Sequence, residues 1–466
     1  MRNCFFIGVN MENTLKTVNA IIWGIPVLSF ILIIGLYLSV SSDFIQFRWF
    51  RYAIKKFLNS LRDKNHAKEG ISGYRALCTA LAATVGTGNI AGVAGAIAIG
   101  GPGTIFWMWI CAFLGMVTKF AEVTLAQRYR VKNHDGESMG GPMYMIQLGL
   151  TKKYHFLAYI YCFFCIIASF GVGNATQVNT VMDSIKSIAA FVNLKIDLRG
   201  LLVLGVIIAF LINRAFRNGV NGVGNWAEKL VPLASVVYIL LCFVVLLLCF
   251  DKIPYALSMI IYGAFSPKSA SCGIIGSAFL TLRVGASRGV FTNEAGMGTA
   301  SIAHASADVD HPVEQGLMGI IEVFLDTIVI CSLTAMVILC SGVDIPYGTD
   351  PGITLTIDAF SVALGGWCRF LITGLVCIFA FATILGWGVY GLRCAQYLFG
   401  GSVGTAYIFC QSCAVLLGIL LNTSVVWLLA EIVNGLMAIP NLLVLFALSP
   451  EFLRITHAYQ REKRTV

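Results

Sequence analysis

The stretch "TALAATVGTGNIAGV", residues 79–93, interrupts a long apolar run with three closely spaced glycines, at 86, 88 and 92, and with Asn89. An unpaired backbone amide or carbonyl is costly inside a membrane. Backbone therefore leaves the helix there only where it lines a cavity or binds something polar. Glycines lower the cost of leaving the helix, because they accept dihedral angles that other residues refuse. The stretch predicts a membrane helix that is broken near its centre, at a binding site.

The composition of the whole chain is that of a membrane protein. Of its 466 residues, 58% are hydrophobic and 12% are charged, with a mean hydropathy of +0.82. Soluble domains carry about 25% charged residues. Apolar runs of about 20 residues, the length that crosses a bilayer as a helix, recur along the chain. We therefore expect an all-α polytopic membrane protein.

Two other features of the composition are explained by the membrane. The net charge of +9 does not indicate a nucleic-acid partner, because the basic residues stand at the ends of apolar runs. Most of the 15 cysteines lie inside those runs, which favours buried thiols over disulfides.

Eleven transmembrane spans are predicted, and the distribution of basic residues orients them. If the N-terminus is outside, most of the 32 Lys and Arg residues fall in cytoplasmic segments, as membrane insertion favours. The C-terminus is then cytoplasmic. The spans, numbered one to eleven, are 18–41, 72–99, 103–128, 155–184, 200–217, 228–250, 270–292, 316–341, 367–397, 404–421 and 424–447.

The spans divide the chain into four parts. Residues 1–71 hold the first span and a cytoplasmic surface helix, predicted from the aromatic and basic alternation of residues 44–64. An ordinary basic loop is the alternative for that segment. Residues 72–250 and 270–447 are predicted as two five-helix repeats, and residues 448–466 as a basic cytoplasmic tail.

The second repeat also contains a segment that resembles an interrupted helix. Transporters built from inverted repeats have broken helices at matching places in both halves. Span seven, within the glycine- and serine-rich residues 269–301, opens the second repeat and runs opposite to span two. The freed N–H groups of a broken helix attract an anion and its carbonyls a cation. For span two, close helix packing would explain the glycines alone equally well. The neighbouring polar residues Thr84, Thr87 and Asn89 favour a binding site.

Six motifs resemble one transporter family. They are "TALAATVGTGNIAGVAGAI", "GGPGTIFWMWICAFLGMVTKFAEVTLAQRYR", "GGPMYMI", "SFGVGNATQVN", "RGVFTNEAGMGTASIAHASA" and "FAFATILGWGVYG", within about residues 77 to 393. Together they resemble the alanine or glycine:cation symporter family, which includes sodium:alanine symporters and D-alanine/glycine permeases. The resemblance implies the 5+5 inverted-repeat scaffold of the amino-acid/polyamine/organocation superfamily, with one additional N-terminal helix. It also implies uptake of alanine or glycine by alternating access, coupled to sodium.

The resemblance assigns residues to the substrate. "VGTGN", residues 85–89, is also similar to the unwound helix of neurotransmitter:sodium symporters. By that likeness, the N–H groups around Thr87 and Gly88 hold the carboxylate, and Asn89 bonds the carboxylate or a second cation. Four further candidates follow from the resemblance. Gln177 has an interhelical hydrogen bond as its alternative role, and Trp387 has simple packing. Those candidates are Gln177 for the amine, Trp387 as the wall that limits substrate size, and Gly276 and Phe279 of span seven.

The resemblance also assigns a cation site. It consists of the carbonyls of Ala82 and Val85 and the hydroxyl of Thr383. Related scaffolds have a Ser-Thr pair where this sequence has Ala382 before the threonine. A weaker sodium site, a water in place of the missing hydroxyl, and proton coupling all remain open.

Ionisable residues within spans indicate function unless they are structurally paired. Asp326 of span eight is a proton site or accepts bonds from a neighbouring helix. Glu294 bonds backbone at the inner gate or lies in a solvated turn. Lys119 and Glu122 are three residues apart and are predicted to pair. Glu431 receives no role.

Other functions are less consistent with the sequence. No nucleophile or acid–base cluster indicates an enzyme, and no Walker-type loop indicates ATP. The six histidines lack metal-ligand spacing. Two unlike broken helices in one chain are more typical of a transporter that works by alternating access than of a channel. We expect no cofactor and no metal beyond co-transported sodium, no obligate protein partner, and a place in a bacterial plasma (inner) membrane. The sequence leaves open whether alanine or glycine is the preferred substrate, whether the L or the D form is preferred, and whether sodium or a proton is the coupling ion.

Overall fold

The computed structural model describes residues 14–62, 70–133, 136–265, 278–420 and 423–464. The described chain is almost entirely helical. The α-helices are α1 (Ile25–Ser41), α2 (Ile45–Arg48), α3 (Phe50–Arg62), α4 (Gly73–Thr84), α5 (Ala91–Gly100), α6 (Thr104–Arg128), α7 (Pro142–Gly149), α8 (Phe156–Phe170), α9 (Thr176–Phe191), α10 (Leu198–Ala215), α11 (Gly219–Leu248), α12 (Ile253–Phe265), α13 (Ala278–Asn293), α14 (Thr299–His304), α15 (Pro312–Val323), α16 (Ser332–Ser341), α17 (Thr354–Leu364), α18 (Cys368–Phe399), α19 (Gly404–Leu420) and α20 (Thr423–Arg464). Four two-residue strands are β1 (Ile71–Ser72), β2 (Val131–Lys132), β3 (Ser138–Met139) and β4 (Ala307–Asp308).

The described helices make this a multi-pass membrane protein. Eight helical runs in the described ranges are long and apolar enough to cross a bilayer, and the bent pair α4–α5 makes a ninth. The predicted fifth and sixth spans form one such run, Leu198–Leu248, which a 3₁₀ turn at Phe216–Asn218 divides. Predicted span seven begins outside the described residues, and its described part is α13. The short helices α12 and α17 lie between predicted spans.

Both predicted broken helices are broken. The axes of α4 and α5 differ by 56°. The helix of span seven is interrupted between α13 and α14, just beyond the predicted end of the span at residue 292, where Glu294, Gly296 and Gly298 all have positive φ. Strand β1, just before span two, pairs in parallel with β4, just after span seven. The two broken helices therefore meet the same membrane side with opposite chain directions, as inverted repeats require.

The predicted surface helix is present as α3, but protein covers part of its apolar face. The rings of Phe50 and Phe324 lie 4.8 Å apart, and Lys56 Nζ lies 2.7 Å from Glu314 Oε1. Phe324 lies in span eight, and Glu314 lies just before it. The helix therefore rests against the transmembrane bundle and does not offer that whole face to lipid.

The predicted C-terminal tail is helical as far as the structure describes it. Helix α20 continues through the segment predicted as a tail and ends at Arg464. Tyr459 lies within it, and its ring is 5.9 Å from that of Trp49, which immediately precedes α3. The segment that contains α3 and the C-terminal end of α20 thus pack against each other.

Candidate functional site

The break in span two begins where the α-helical hydrogen bonds stop. The Val85 N–H still donates to the Leu81 carbonyl, at 2.8 Å. The next amide, that of Gly86, donates instead to Asn89 Oδ1, at 2.9 Å. A short 3₁₀ turn over Thr87–Asn89 then leads into α5. The side chain of Asn89 therefore takes the place of the helical acceptor and closes the turn.

The break leaves main-chain groups of both kinds open. In the described part of the chain, the N–H groups of Thr87 and Gly88 have no hydrogen-bond partner. The carbonyls of residues 82–85 likewise accept no hydrogen bond there. All these residues are buried. Donors that suit a carboxylate and acceptors that suit a cation thus lie within one turn of each other.

Span four borders the break through Gln177. The Thr87 hydroxyl donates to Gln177 Oε1 at 2.8 Å, and Gln177 Nε2 donates to the Val172 carbonyl at 3.0 Å. A π-helical turn over Gly171–Ala175 precedes this glutamine. Such turns are often found at functional sites because they free backbone groups and shift side chains.

Span eight borders the break through Asp326. This residue also lies in a π-helical segment, Phe324–Cys331, and it is fully buried. Asn89 Nδ2 donates to Asp326 Oδ1 at 2.6 Å, and the Thr327 hydroxyl donates to Oδ2 at 2.7 Å. Of the two alternatives for this residue, the structure has it accepting bonds from a neighbouring helix.

Span nine brings a hydroxyl against the break. Thr383 is 2% exposed, and its Oγ1 has no partner among the described residues. A Cβ at Gly86 would overlap that oxygen, so the hydroxyl lies directly against the unwound backbone. A buried hydroxyl without a protein partner is uncommon, and its oxygen is free to bind a polar ligand such as water or an ion.

The aromatic wall predicted on span nine is buried beside span four. Trp387 is 1% exposed, and a Cβ at Gly173 would overlap its side chain. Gly173 lies in the π-helical turn that precedes Gln177. The tryptophan therefore fills the space beside the helix that carries Gln177.

The two span-seven candidates are not brought to this site. Gly276 lies outside the described residues. Phe279 is 54% exposed in the first turn of α13. The break follows Asn293, about 20 Å further along that helix at 1.5 Å per residue. The side chains that meet the break are instead Phe291 and Thr292, since a Cβ at Gly88 would lie 3.9 Å and 3.3 Å from them.

A hollow lies beside the break. Its volume is about 490 Å³, and Ala91 and Gly92 line it immediately after the unwound turn. Arg288 crosses it, with ion pairs of 3.4 Å to Asp350 and 3.2 Å to Glu431. Span two is thus reachable from one side, behind an ionic bridge. The sequence assigned no role to Glu431, and the structure shows that it forms part of this ionic bridge.

The break in span seven is filled from within the protein. Glu122 Oε1 accepts the Gly296 and Gly298 N–H groups at 2.9 and 3.1 Å. Lys119 Nζ lies 3.4 Å from Glu322 Oε1. The predicted pair of Lys119 with Glu122 is therefore wrong, because each side chain has a partner on another span.

Glu294 stands at the start of the same break. It is 2% exposed and accepts the Thr299 hydroxyl at 2.6 Å. Burial excludes the solvated turn that was the alternative for this residue. Its carboxylate bonds a side chain at the start of α14, rather than the backbone that the other alternative named.

The sequence profile of one transporter family matches residues 9–466, described as the sodium:alanine symporter family. The chain belongs to the sodium:alanine symporter family. Such a symporter couples the movement of an amino acid to that of a cation, and this is the general activity of the chain.

Several relatives of this symporter align over nearly their whole length. The sodium/alanine symporter AgcS of Methanococcus maripaludis is 38% identical, with 98% of this chain and 99% of that protein covered. The probable sodium/glutamine symporter GlnT of Bacillus subtilis is 35% identical, with 97% and 92% covered. The putative sodium/proton-dependent alanine carrier YrbD of Bacillus subtilis is 32% identical, with 97% and 93% covered. Among solved structures, the nucleobase:cation symporter Mhp1 superposes with a TM-score of 0.46 at 12% identity, over 84% of this chain and 78% of that one.

Proposed function

We propose that this symporter imports small neutral amino acids, alanine and glycine, together with sodium by alternating access. Its N-terminus is outside and its C-terminus inside a bacterial plasma membrane. One observation carries the proposal: at the break in span two, beside the hollow, lie amides, carbonyls and a hydroxyl that have no hydrogen-bond partner among the described residues. Discontinuous helices of this kind form the binding sites of secondary transporters.

The substrate carboxylate binds the free N–H groups of Thr87 and Gly88. Backbone amides at a helix break are well suited to an anion, because they present donors without a competing charge. The Gln177 side-chain oxygen, which Thr87 now occupies at 2.8 Å, accepts from the substrate amine. Trp387 limits the side chain to a small group.

The cation binds the carbonyls of Ala82 and Val85 and the hydroxyl of Thr383. A hard cation takes several oxygen ligands, and a water supplies the ligand that Ala382 lacks. The named activity of the relative AgcS supports sodium. Cation and carboxylate bind one short turn, so each stabilises the conformation that the other needs. Such coupling is reciprocal.

Proton coupling is the second candidate, and Asp326 is the observation that favours it. This carboxylate is fully buried and hydrogen-bonded to Asn89, within the break. A carboxylate beside the substrate turn can take up and release a proton during the transport cycle. The relative YrbD is named as sodium/proton-dependent.

Uptake into proteoliposomes tests the proposal. Labelled alanine and glycine are supplied with an inward sodium gradient, with an inward proton gradient, or with neither, at the same internal pH. We expect accumulation with the sodium gradient alone. Accumulation with the proton gradient alone would favour the second candidate, and passage without any coupling would contradict both.

Replacing Trp387 by phenylalanine is expected to relax substrate size. The smaller ring leaves room beside Gly173, and a change of about one methylene in a pocket alters discrimination roughly 10- to 200-fold. Glutamine should then inhibit alanine uptake at concentrations at least about tenfold lower than in the wild type. Trp367→Phe, at the residue just before the start of the same helix, α18, is the control. An unchanged inhibition profile in Trp387→Phe would contradict this role.

A further inference from the structure

The two broken helices differ in what satisfies their freed amides. In span two, the Thr87 and Gly88 N–H groups have no partner in the described ranges. In span seven, the Gly296 and Gly298 amides are both bonded to the Glu122 carboxylate. One break is open to a ligand from outside, and the other already holds an anion that belongs to the protein.

The contacts of Glu122 resemble those of a bound carboxylate ligand. The residue lies in α6, on span three, and is fully buried. Its Oε1 accepts the two amides and also Asn441 Nδ2, at 2.7 Å, from α20. Asn441 Nδ2 in turn donates to the Gly296 carbonyl at 2.9 Å. One oxygen therefore gathers three donors and ties spans three, seven and eleven together.

The backbone around this oxygen is held in a conformation that side chains disfavour. Glu294, Gly296 and Gly298 have φ of +55°, +92° and +75°. A non-glycine residue in that region costs free energy and persists where its surroundings hold it. A Cβ at Gly298 would also overlap Pro142. The Glu294 N–H still donates to the Val290 carbonyl at 2.8 Å, and the Met297 N–H donates to the Glu294 carbonyl at 3.2 Å. The Gly296 and Gly298 amides donate instead to Glu122, so the carboxylate stabilises the later part of the segment in this shape.

This segment is directly connected to the substrate break. Asn293, the last residue of α13, accepts the Ala295 N–H at 3.0 Å through its side-chain oxygen. Thr292, the residue before it, faces Gly88, where an added Cβ would lie 3.3 Å from its methyl group. A change in the shape of residues 294–298 therefore moves a wall of the proposed substrate site.

We propose that Glu122 is an intramolecular anionic ligand of the second broken helix, the internal counterpart of the substrate carboxylate at the first. It is a positioning residue: it holds residues 294–298 unwound and so keeps Thr292 against Gly88. Removal of its carboxylate leaves a vacant anion site that a small carboxylate from solution fills. The transport consequence rests on the proposed function, whereas the binding consequence does not.

The test is anion rescue of the purified Glu122→Ala variant. In sodium gluconate, whose anion is too large for the vacated space, we expect uptake at least tenfold below wild type and a lowered melting temperature. Sodium formate at 100 mM and equal ionic strength should raise the melting temperature and restore at least a third of the lost uptake. The wild type should respond to neither change of anion.

Two further variants separate this role from simple packing. Glu122→Leu fills the space with an apolar side chain, so formate should not raise its melting temperature or uptake. Glu122→Gln keeps an acceptor oxygen, so it should transport better than Glu122→Leu and be insensitive to formate. The inference is overturned if formate stabilises Glu122→Ala no more than Glu122→Leu, or if Glu122→Gln is as impaired as Glu122→Leu. Formate stabilisation in a protein that transports no alanine would uphold the inference and refute the proposed function.

Discussion

Replacing Asn89 by alanine is expected to lower alanine uptake at least about tenfold. The side chain accepts the Gly86 N–H at 2.9 Å and donates to Asp326 Oδ1 at 2.6 Å. Its loss leaves a buried amide and a buried carboxylate oxygen without these partners, at about 1–3 kcal/mol each. A tenfold effect corresponds to about 1.4 kcal/mol. The turn that presents the Thr87 and Gly88 amides should therefore lose its shape in most molecules.

The measurement is the initial rate of labelled alanine uptake, normalised to the amount of protein in the membrane. Asn179→Ala is the matched control. Asn179 is also a buried asparagine, but its side chain donates to the Gly418 carbonyl, away from the break. Asn179→Ala should retain most of the wild-type rate. Equal losses in the two variants would indicate general destabilisation and would contradict a specific role for Asn89.

Replacing Thr383 by valine is expected to raise the half-saturating sodium concentration at least about tenfold, the effect of about 1.4 kcal/mol. The substitution exchanges a hydroxyl for a methyl of similar volume. Since Thr383 Oγ1 makes no hydrogen bond in the described structure, the folded protein loses no hydrogen bond when the hydroxyl is removed. A cation at the Ala82 and Val85 carbonyls would lose an oxygen ligand. The melting temperature without sodium should therefore change little, while its increase on adding sodium should shrink.

The same helix provides the control for this experiment. Thr373 is also buried, and its Oγ1 also lacks a partner among the described residues. It lies ten residues before Thr383, about 15 Å along the helix. Thr373→Val should leave the sodium dependence of alanine uptake unchanged. An unchanged sodium dependence in Thr383→Val would remove this hydroxyl from the cation site.

The first break was readable from the sequence because its signal is local. Closely spaced glycines and Asn89 lie within one apolar run, and a bilayer allows few reasons for that pattern. The second break was predicted from repeat symmetry alone, within span seven; the structure has a break there, but at residues 294–298, just beyond the end predicted for that span. Its conformation depends on positive φ at residues 294–298, which the sequence indicates only through Gly296 and Gly298.

The partners of buried charges could not be read from the sequence. The spacing of Lys119 and Glu122 suits a pair on one helix face, but the energy of a buried charge depends on every helix around it. Lys119 lies 3.4 Å from Glu322, and Glu122 bonds the amides of span seven. These contacts join residues far apart in the chain. No local periodicity specifies them.

Phe279 illustrates a different limit. Resemblance to a family assigned it to the substrate pocket, whereas the structure leaves it 54% exposed at the far end of α13 from the break. Phe291 and Thr292 occupy the corresponding place near Gly88. Phe279 lies more than three helical turns from these residues on the same span. Neither the composition nor the periodicity of the span distinguishes the two places, so the substrate-facing residues can be identified only once the position of the break is known.

An experimental structure of the symporter in saturating sodium and alanine tests the central claim most directly. The account predicts the alanine carboxylate within 2.7–3.2 Å of the Thr87 and Gly88 nitrogens, the ordinary range for N–H···O bonds. It also predicts a cation bound by the Ala82 and Val85 carbonyls and by Thr383 Oγ1. Alanine bound elsewhere in the protein, with these amides and carbonyls still without a ligand, would contradict it.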